Sequence, residues 1–96
     1  MNLTDELLQQ VHDNAALFLS PEEIDVLLDL DVSRFCAEIK SKKGLVYTRY
    51  MKGKTESKKA IRENVVKMAK HGSPQAEELA EKYISEQKIA EKNARR

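Results

Sequence analysis

The sequence predicts an all-α protein with an N-terminal helix-turn-helix-like head and a C-terminal antiparallel helical hairpin. Its 96 residues are 41% hydrophobic and 34% charged and include three Gly and two Pro, a composition typical of helices that each carry one apolar stripe. Apolar residues recur at helical spacings, and no two segments show the alternation of paired strands. We place the head in residues 1–44, and the basic connecting helix and hairpin in residues 45–96.

A first amphipathic helix is predicted over residues 4–19, because its apolar residues fall on one face. Ser20 and Glu23 then form a capping box, in which each side chain bonds the backbone N–H of the other residue. Pro21 suits the first position of a second helix over residues 21–29, where its missing N–H is harmless. The residues expected on the buried faces of these two helices are Leu7, Leu8, Val11, Ala15, Phe18, Ile24, Leu27 and Leu28.

A tight connection at residues 30–32 leads into a third helix. Ser33 is a good N-cap, the apolar pattern resumes at Phe35, and Gly44 can adopt the left-handed conformation that ends helices. Two helices joined by such a turn are typical of helix-turn-helix proteins, whose second helix enters the major groove of DNA. The exposed face of this helix is predicted to hold Ser33, Arg34, Ala37, Glu38 and Ser41.

The segment at residues 45–52 is ambiguous, because Val46, Tyr47 and several neighbours also favour strands. We predict a helix, since a lone strand leaves its backbone groups without partners. Gly53 is expected to break or weaken this helix, which then continues to Gly72.

A short turn at residues 72–74 restarts the chain with Ser73 and Pro74, as Ser20 and Pro21 do earlier, and a last helix follows to about Ala90. Such a short connection makes consecutive helices antiparallel neighbours. Two helices alone bury little apolar surface. Their stripes are therefore expected to serve either as intramolecular core or as a subunit interface.

Charge is distributed unevenly along the chain. Residues 1–31 contain eight acids and no Lys or Arg, residues 32–72 contain twelve Lys or Arg and three acids, and residues 73–96 contain five of each. A basic middle segment that coincides with the helix-turn-helix favours contact with nucleic-acid phosphates, and the alternative is a merely hydrated surface. The predicted DNA-binding residues are Ser33, Arg34, Glu38, Lys40, Lys42, Lys43, Arg49, Lys52 and Lys54.

No group of residues in the sequence forms a catalytic or metal-binding pattern. His12 and His71 are isolated, and we expect each to be structural or indifferent. The aspartates at 25, 29 and 31 lack the glycine and terminal glutamate of a calcium loop, and we interpret them as a solvated face and a helix cap. The chain is therefore predicted to be no enzyme and to need no cofactor and no metal.

The single cysteine, Cys36, has no partner for an internal disulfide, which fits a reducing compartment, and its apolar neighbours predict a core position. No apolar run approaches the roughly 18 residues of a membrane span, and the N-terminus does not resemble a signal peptide. We expect a soluble cytosolic protein without a membrane partner.

Five strings, taken in order, resemble the small subunit of tailed-phage and prophage terminases. In that family a helix-turn-helix is followed by an aromatic and basic segment and then by a helical hairpin. The resemblance covers about residues 20–92 of the chain. The strings are SPEEIDVLLDLDVSRF at 20–35, AEI at 37–39, YMKGK at 50–54, AIR at 60–62 and MAKHGSPQA at 68–76.

The resemblance implies a protein that binds double-stranded viral DNA near its packaging start and assembles as a homo-oligomer. It would deliver the DNA to a large terminase subunit, which holds the ATPase and nuclease activities. By position, Ser33, Arg34, Glu38 and residues 40–43 match the DNA-facing helix. The residues that match the oligomerising hairpin are Ile61, Val65, Met68, Leu79, Tyr83 and Ile84.

Two other functions fit the same sequence. A helix-turn-helix transcriptional regulator would bind paired half-sites as a dimer. A helical adaptor would bind protein alone, with the acidic first helix and the basic centre as complementary surfaces.

Overall fold

The computed structural model describes residues 3–30 and 32–94, and for Val32 and Ser33 it describes the backbone alone. Five α-helices and no strand are found in this part of the chain, so the predicted all-α class is confirmed. None of the five has the length and apolar character needed to cross a bilayer, as far as the described residues extend. The helices are α1 (Asp5–Ala15), α2 (Pro21–Leu28), α3 (Val32–Ser41), α4 (Gly44–Lys70) and α5 (Pro74–Ala94).

Internal contacts divide the chain into two compact units, an N-terminal unit (Met1–Lys58) and a C-terminal unit (Lys59–Arg96). The division falls inside α4, whereas the sequence placed a boundary between residues 44 and 45. The reason is that the first half of α4 packs on the N-terminal core through Val46 and Tyr50. A helix that is continuous along the backbone thus contributes to both units.

The N-terminal unit is built on one apolar core. The side chain of Phe35 lies at its centre with no exposed surface, and Cys36 is partly buried against the same core, where the sequence placed it. Buried and half-buried residues come from α1, α2, α3 and α4 together, so no pair of helices holds the unit alone. The fully buried members are Leu8, Val11, Ala15, Ile24, Phe35 and Val46.

The buried face of α2 differs from the expectation. Leu27 was expected in the core but is 61% exposed, while Asp25, expected on a solvated face, is buried. Successive residues of a helix are rotated by about 100°. The buried sector of α2 runs from Ile24 through Leu28 to Asp25, which leaves Leu27 on the other side.

The ends of the first three helices use left-handed residues other than glycine, at Phe18, Asp29 and Lys42. Phe18 was expected on the buried face of α1, but α1 ends at Ala15 and Phe18 is 49% exposed with φ 63°. Its N–H donates to the Ala15 carbonyl at 2.9 Å, and the N–H of the next residue to the Asn14 carbonyl at 3.4 Å, which is a Schellman motif.

The end of α4 shows the same motif with the residue that suits it. Gly72 has φ 93°, its N–H donates to the Ala69 carbonyl at 3.0 Å, and the Ser73 N–H donates to the Met68 carbonyl at 3.2 Å. The sequence predicted this end correctly. It predicted a similar role for Gly44, but α3 ends at Ser41 through Lys42, and Gly44 begins α4.

Gly53 lies at a close approach between α4 and α1. The helix neither breaks nor ends there, and the segment before it is helical as predicted. Gly53 is buried, and a Cβ built on it would overlap the backbone carbonyl of His12. The absence of a side chain therefore lets the two backbones pack together.

His12 adds a polar contact beside that crossing. Its Nε2 lies 3.0 Å from Glu56 Oε2 on α4, and its Nδ1 lies 3.0 Å from Asp13 Oδ1. Hydrogen bonds to Asp13 and to Glu56 raise the pKa of His12 above its ordinary value, against a smaller opposing effect of burial. A protonated His12 thus ties α1 to α4.

The capping box predicted at the start of α2 is present. The Ser20 N–H donates to a Glu23 carboxylate oxygen at 2.9 Å, and the Glu23 N–H donates to Ser20 Oγ at 3.2 Å. These bonds from Ser20 lower the pKa of Glu23. Glu23 therefore stays ionised on the surface of α2.

Candidate nucleic-acid interface

The outward face of α3 carries small side chains and one cation. Phe35 is fully buried, and the residues on the opposite side of the helix, Arg34, Ala37 and Ser41, are exposed. Glu38 lies half-buried on a flank. Three of the residues predicted for the exposed face are therefore found there. The side chain of Ser33 lies outside the described residues.

Lysines gather where α3 passes into α4. Lys40, Lys42 and Lys43 are exposed, and within the described part of the chain none of them takes part in an ion pair. We call these three residues the α3–α4 corner. Lys40 lies in the last turn of α3, where the helix dipole favours a cation.

The other two lysines of the corner lie in a different field. Lys42 and Lys43 directly precede Gly44, the first residue of α4, and a helix N-terminus is a positive pole with unpaired N–H groups. Without a bound anion, cations at that position destabilise the helix. An anion such as a phosphate would be attracted by the lysines and by the helix end together.

The basic residues farther along α4 do not extend the corner as one stripe. Lys52 and Lys54 project from the helix about 200° apart, because each residue turns by about 100°. Lys52 Nζ lies 4.0 Å from a Glu56 oxygen, and Lys54 Nζ lies 6.0 Å from the centre of the Tyr50 ring. Arg49 is half-buried. The structure therefore groups the corner lysines and separates Lys52 from Lys54.

The residues predicted to mediate oligomerisation lie in the C-terminal unit, on both of its helices. Four of the six are exposed aliphatic side chains, and Val65 and Tyr83 are half-buried. The exposed four are Ile61, Met68, Leu79 and Ile84.

A contact that the sequence reasoning missed joins the two helices of this unit. The Arg62 guanidinium carbon lies 4.2 Å from the centre of the Tyr83 ring, and its Nη2 donates to Glu86 Oε2 at 3.0 Å. Arg62 and Tyr83 are equally distant in sequence from the turn at residues 72–73. In an antiparallel pair this symmetry places residues opposite each other, and it was the signal that could have revealed the contact.

Other candidate sites are few. Among the described residues, no three His, Cys, Asp or Glu side chains are grouped so that they could hold a metal ion. Comparison with protein-family models, with curated proteins and with solved structures finds no match for this chain.

Proposed function

We propose that this chain binds double-stranded DNA through its α3–α4 corner and assembles with copies of itself through its C-terminal unit. The function would be that of a terminase small subunit, which recognises viral DNA for packaging in the cytoplasm of a bacterial host and works with a large ATPase and nuclease subunit. The observation that carries the proposal is the group of exposed lysines at Lys40, Lys42 and Lys43, which form no ion pair with the residues that the structure describes.

Simple hydration of the surface explains this corner less well. The surface lysines Lys52 and Lys59 are followed one turn later by a glutamate within 4.0 Å, the usual pattern of a solvated helix. Lys42 and Lys43 instead lie at the N-terminus of α4, where their charges and the positive end of the helix dipole repel each other. A bound phosphate would be attracted by both and would offset that repulsion.

The small residues of α3 support the same function. Ala37 and Ser41 on its outward face would let the helix enter a major groove closely, and Arg34 in its first turn is placed where recognition helices contact bases. In this proposal α2 and α3 form the helix-turn-helix, and the corner lysines bind the flanking phosphates.

The exposed aliphatic residues of the C-terminal unit support assembly. The second half of α4 and α5 would form an antiparallel hairpin held by Arg62, Tyr83 and Glu86, with the aliphatic side chains of both helices left outside. Apolar side chains spread over a two-helix unit favour burial against another subunit.

A salt titration of duplex binding tests the DNA half of the proposal. The variant in which Lys40, Lys42 and Lys43 are all alanine should bind a duplex at least about ten-fold more weakly, and its log–log salt slope should fall by up to about three, because each phosphate contact contributes about 0.9. The matched control replaces Lys67, Lys70 and Lys82, three exposed lysines of the C-terminal unit, and should change binding little.

Equal loss in both triple variants would mean that net charge alone attracts DNA, and absence of wild-type binding at about 50 mM salt would end the proposal. The mass of the native assembly separates the packaging function from a transcriptional regulator. A multi-subunit ring supports packaging, and a dimer on a palindrome supports regulation.

A protein-binding adaptor without DNA contact is the second candidate. It is favoured by two exposed aliphatic residues on α2, Val26 and Leu27, which no DNA contact explains. Wild-type protein that binds no duplex at low salt would support this function.

A further inference from the structure

The outward side of α2 carries an open apolar groove. Val26 is 72% exposed and Leu27 is 61% exposed. The two residues are neighbours on α2, which has eight residues. With Leu19, Glu22 and Glu23 they line a groove of about 430 Å³, which we call the α2 groove. Isolated exposed aliphatic residues are common, but an adjacent pair lining a concave surface is typical of a binding site.

The charge of the groove limits what can occupy it. Glu22 and Glu23 are exposed beside the aliphatic residues, and Glu23 is held in place by its bonds with Ser20. Two carboxylates repel nucleic acid. They also disfavour a symmetric dimer in which two α2 grooves face each other, because four carboxylates would then meet. The fitting occupant is an apolar helix that carries cations.

The last three turns of α5 have that character. Ile84 and Ile89 are exposed on α5, and Lys88 and Lys92 are exposed with them. By the helical period of about 3.6 residues, the two lysines fall in the sector between the two isoleucines. The acids of the same stretch, Glu86 and Glu91, fall outside that sector. We call residues 84–92 the α5 end.

The two surfaces also agree in length. The eight residues of α2 extend for about 12 Å, and the nine residues from Ile84 to Lys92 extend for about 13.5 Å. Aliphatic side chains of the α5 end would meet Val26 and Leu27, while Lys88 and Lys92 would meet the two glutamates.

We propose that the α5 end of one copy docks in the α2 groove of a second copy. This inference rests on the self-assembly part of the proposed function and names the contact that produces it. The contact joins two different surfaces, so each subunit offers a groove to one neighbour and an α5 end to another. Such contacts close into a ring or continue as a filament. The α3–α4 corner takes no part and stays available.

The test uses two variants, one with an altered α2 groove and one with an altered α5 end. The groove variant carries Glu22→Lys and Leu27→Lys, and the α5 variant carries Lys88→Glu and Ile89→Glu. All four positions are exposed, so the fold should be retained, which circular dichroism checks. Lys67→Glu, a charge reversal on an exposed residue of α4, is the matched control. Sedimentation velocity gives the mass of each protein alone and of the mixture.

The wild type and Lys67→Glu should form assemblies larger than two chains, and each disabled variant alone should sediment as a monomer. An equimolar mixture should form a species of at least two chains, because one intact groove can then meet one intact α5 end, and the two altered surfaces, lysines against glutamates, attract each other more weakly. A chain with all four substitutions places lysines opposite glutamates again and should regain part of the assembly.

Other results would overturn the proposed contact in recognisable ways. If both variants keep the wild-type mass, assembly uses other surfaces and the groove contact is wrong. If the wild type is a monomer at every concentration, or the mixture stays monomeric, no second copy occupies the groove. Duplex binding by the same proteins is measured separately, so a failure of the DNA proposal is not confused with a failure of this one.

Discussion

The N-terminal unit buries a continuous apolar core drawn from four helices, whereas among the described residues of the C-terminal unit only Ala76 is buried. The two helices of the C-terminal unit are joined by contacts of Arg62 with Tyr83 and Glu86, and many aliphatic side chains of the unit are exposed. The N-terminal unit therefore has the features of a self-sufficient fold. The C-terminal unit has the features of a surface that gains stability when another chain covers it.

In the proposed function, this difference gives the two units separate tasks. A rigid core can hold the α3–α4 corner in one geometry, which recognition of DNA requires. A two-helix unit with exposed aliphatic residues is suited to assembly, because a neighbouring subunit would remove that apolar surface from water. Substitutions that act on one unit alone test this division.

The largest effect is expected at Gly53, where α4 meets α1. Alanine has a higher helix propensity, so Gly53→Ala considered as a local change should stabilise the protein by about 1 kcal/mol. A Cβ at this position would overlap the His12 carbonyl, which is backbone and cannot rotate away. We expect destabilisation of about 2–3 kcal/mol, measured by urea unfolding with circular dichroism.

The exposed position Ala60 on the same helix provides a control for that result. Ala60→Gly should cost about 1 kcal/mol through propensity alone. If Gly53→Ala instead stabilises the protein, α1 and α4 are not in close contact at Gly53, and the packing of α4 on α1 described here is wrong.

A smaller effect is expected in the C-terminal unit at Tyr83. Tyr83→Leu keeps an apolar side chain but removes the ring face under Arg62, and should weaken the unit by about 0.5–1 kcal/mol. Tyr83→Phe keeps the ring and should be nearly neutral. Native-state hydrogen exchange of the α5 amides measures the opening free energy of this unit separately from the rest of the chain. Equal losses in both variants would indicate that the hydroxyl, and not the cation–π contact, holds the two helices.

The sequence correctly predicted the local features of this fold. The capping box at Ser20 and Glu23 and the helix end at Gly72 depend on hydrogen bonds between residues three to five apart. The helical prediction for residues 45–52 was correct for a related reason, since the alternative strand had no partner.

Features that depend on tertiary contact were missed. The apolar pattern of α2 fits more than one buried face, and packing selected the face that contains Asp25 and excludes Leu27. The approach of Gly53 to His12 joins residues 41 positions apart, and no local pattern encodes it. For the candidate site, the sequence indicated that Lys40, Lys42 and Lys43 are cationic and exposed. The separation of Lys52 from Lys54 follows from helix geometry once α4 is known to be continuous.

The smallest effect is a pH dependence confined to the N-terminal unit. Hydrogen bonds to Asp13 and Glu56 raise the pKa of His12 above 6.5, its ordinary value. A raised pKa in the folded state means that the stabilisation is complete below about pH 6.5 and is lost as the pH rises through the folded-state pKa. The pKa of Asp13 is lowered from 3.8, so its own titration falls at far more acidic pH.

Urea unfolding at pH 6 and at pH 8 should therefore show a loss at the higher pH that does not exceed about 1 kcal/mol, because the Glu56 carboxylate is half exposed to water. His12→Gln should remove the pH dependence, while His71→Gln, which changes an exposed histidine of the C-terminal unit, should leave it unchanged. If the His12→Gln protein keeps the same slope, the contact between α1 and α4 depends on Gly53 and the apolar core without a contribution from the imidazolium.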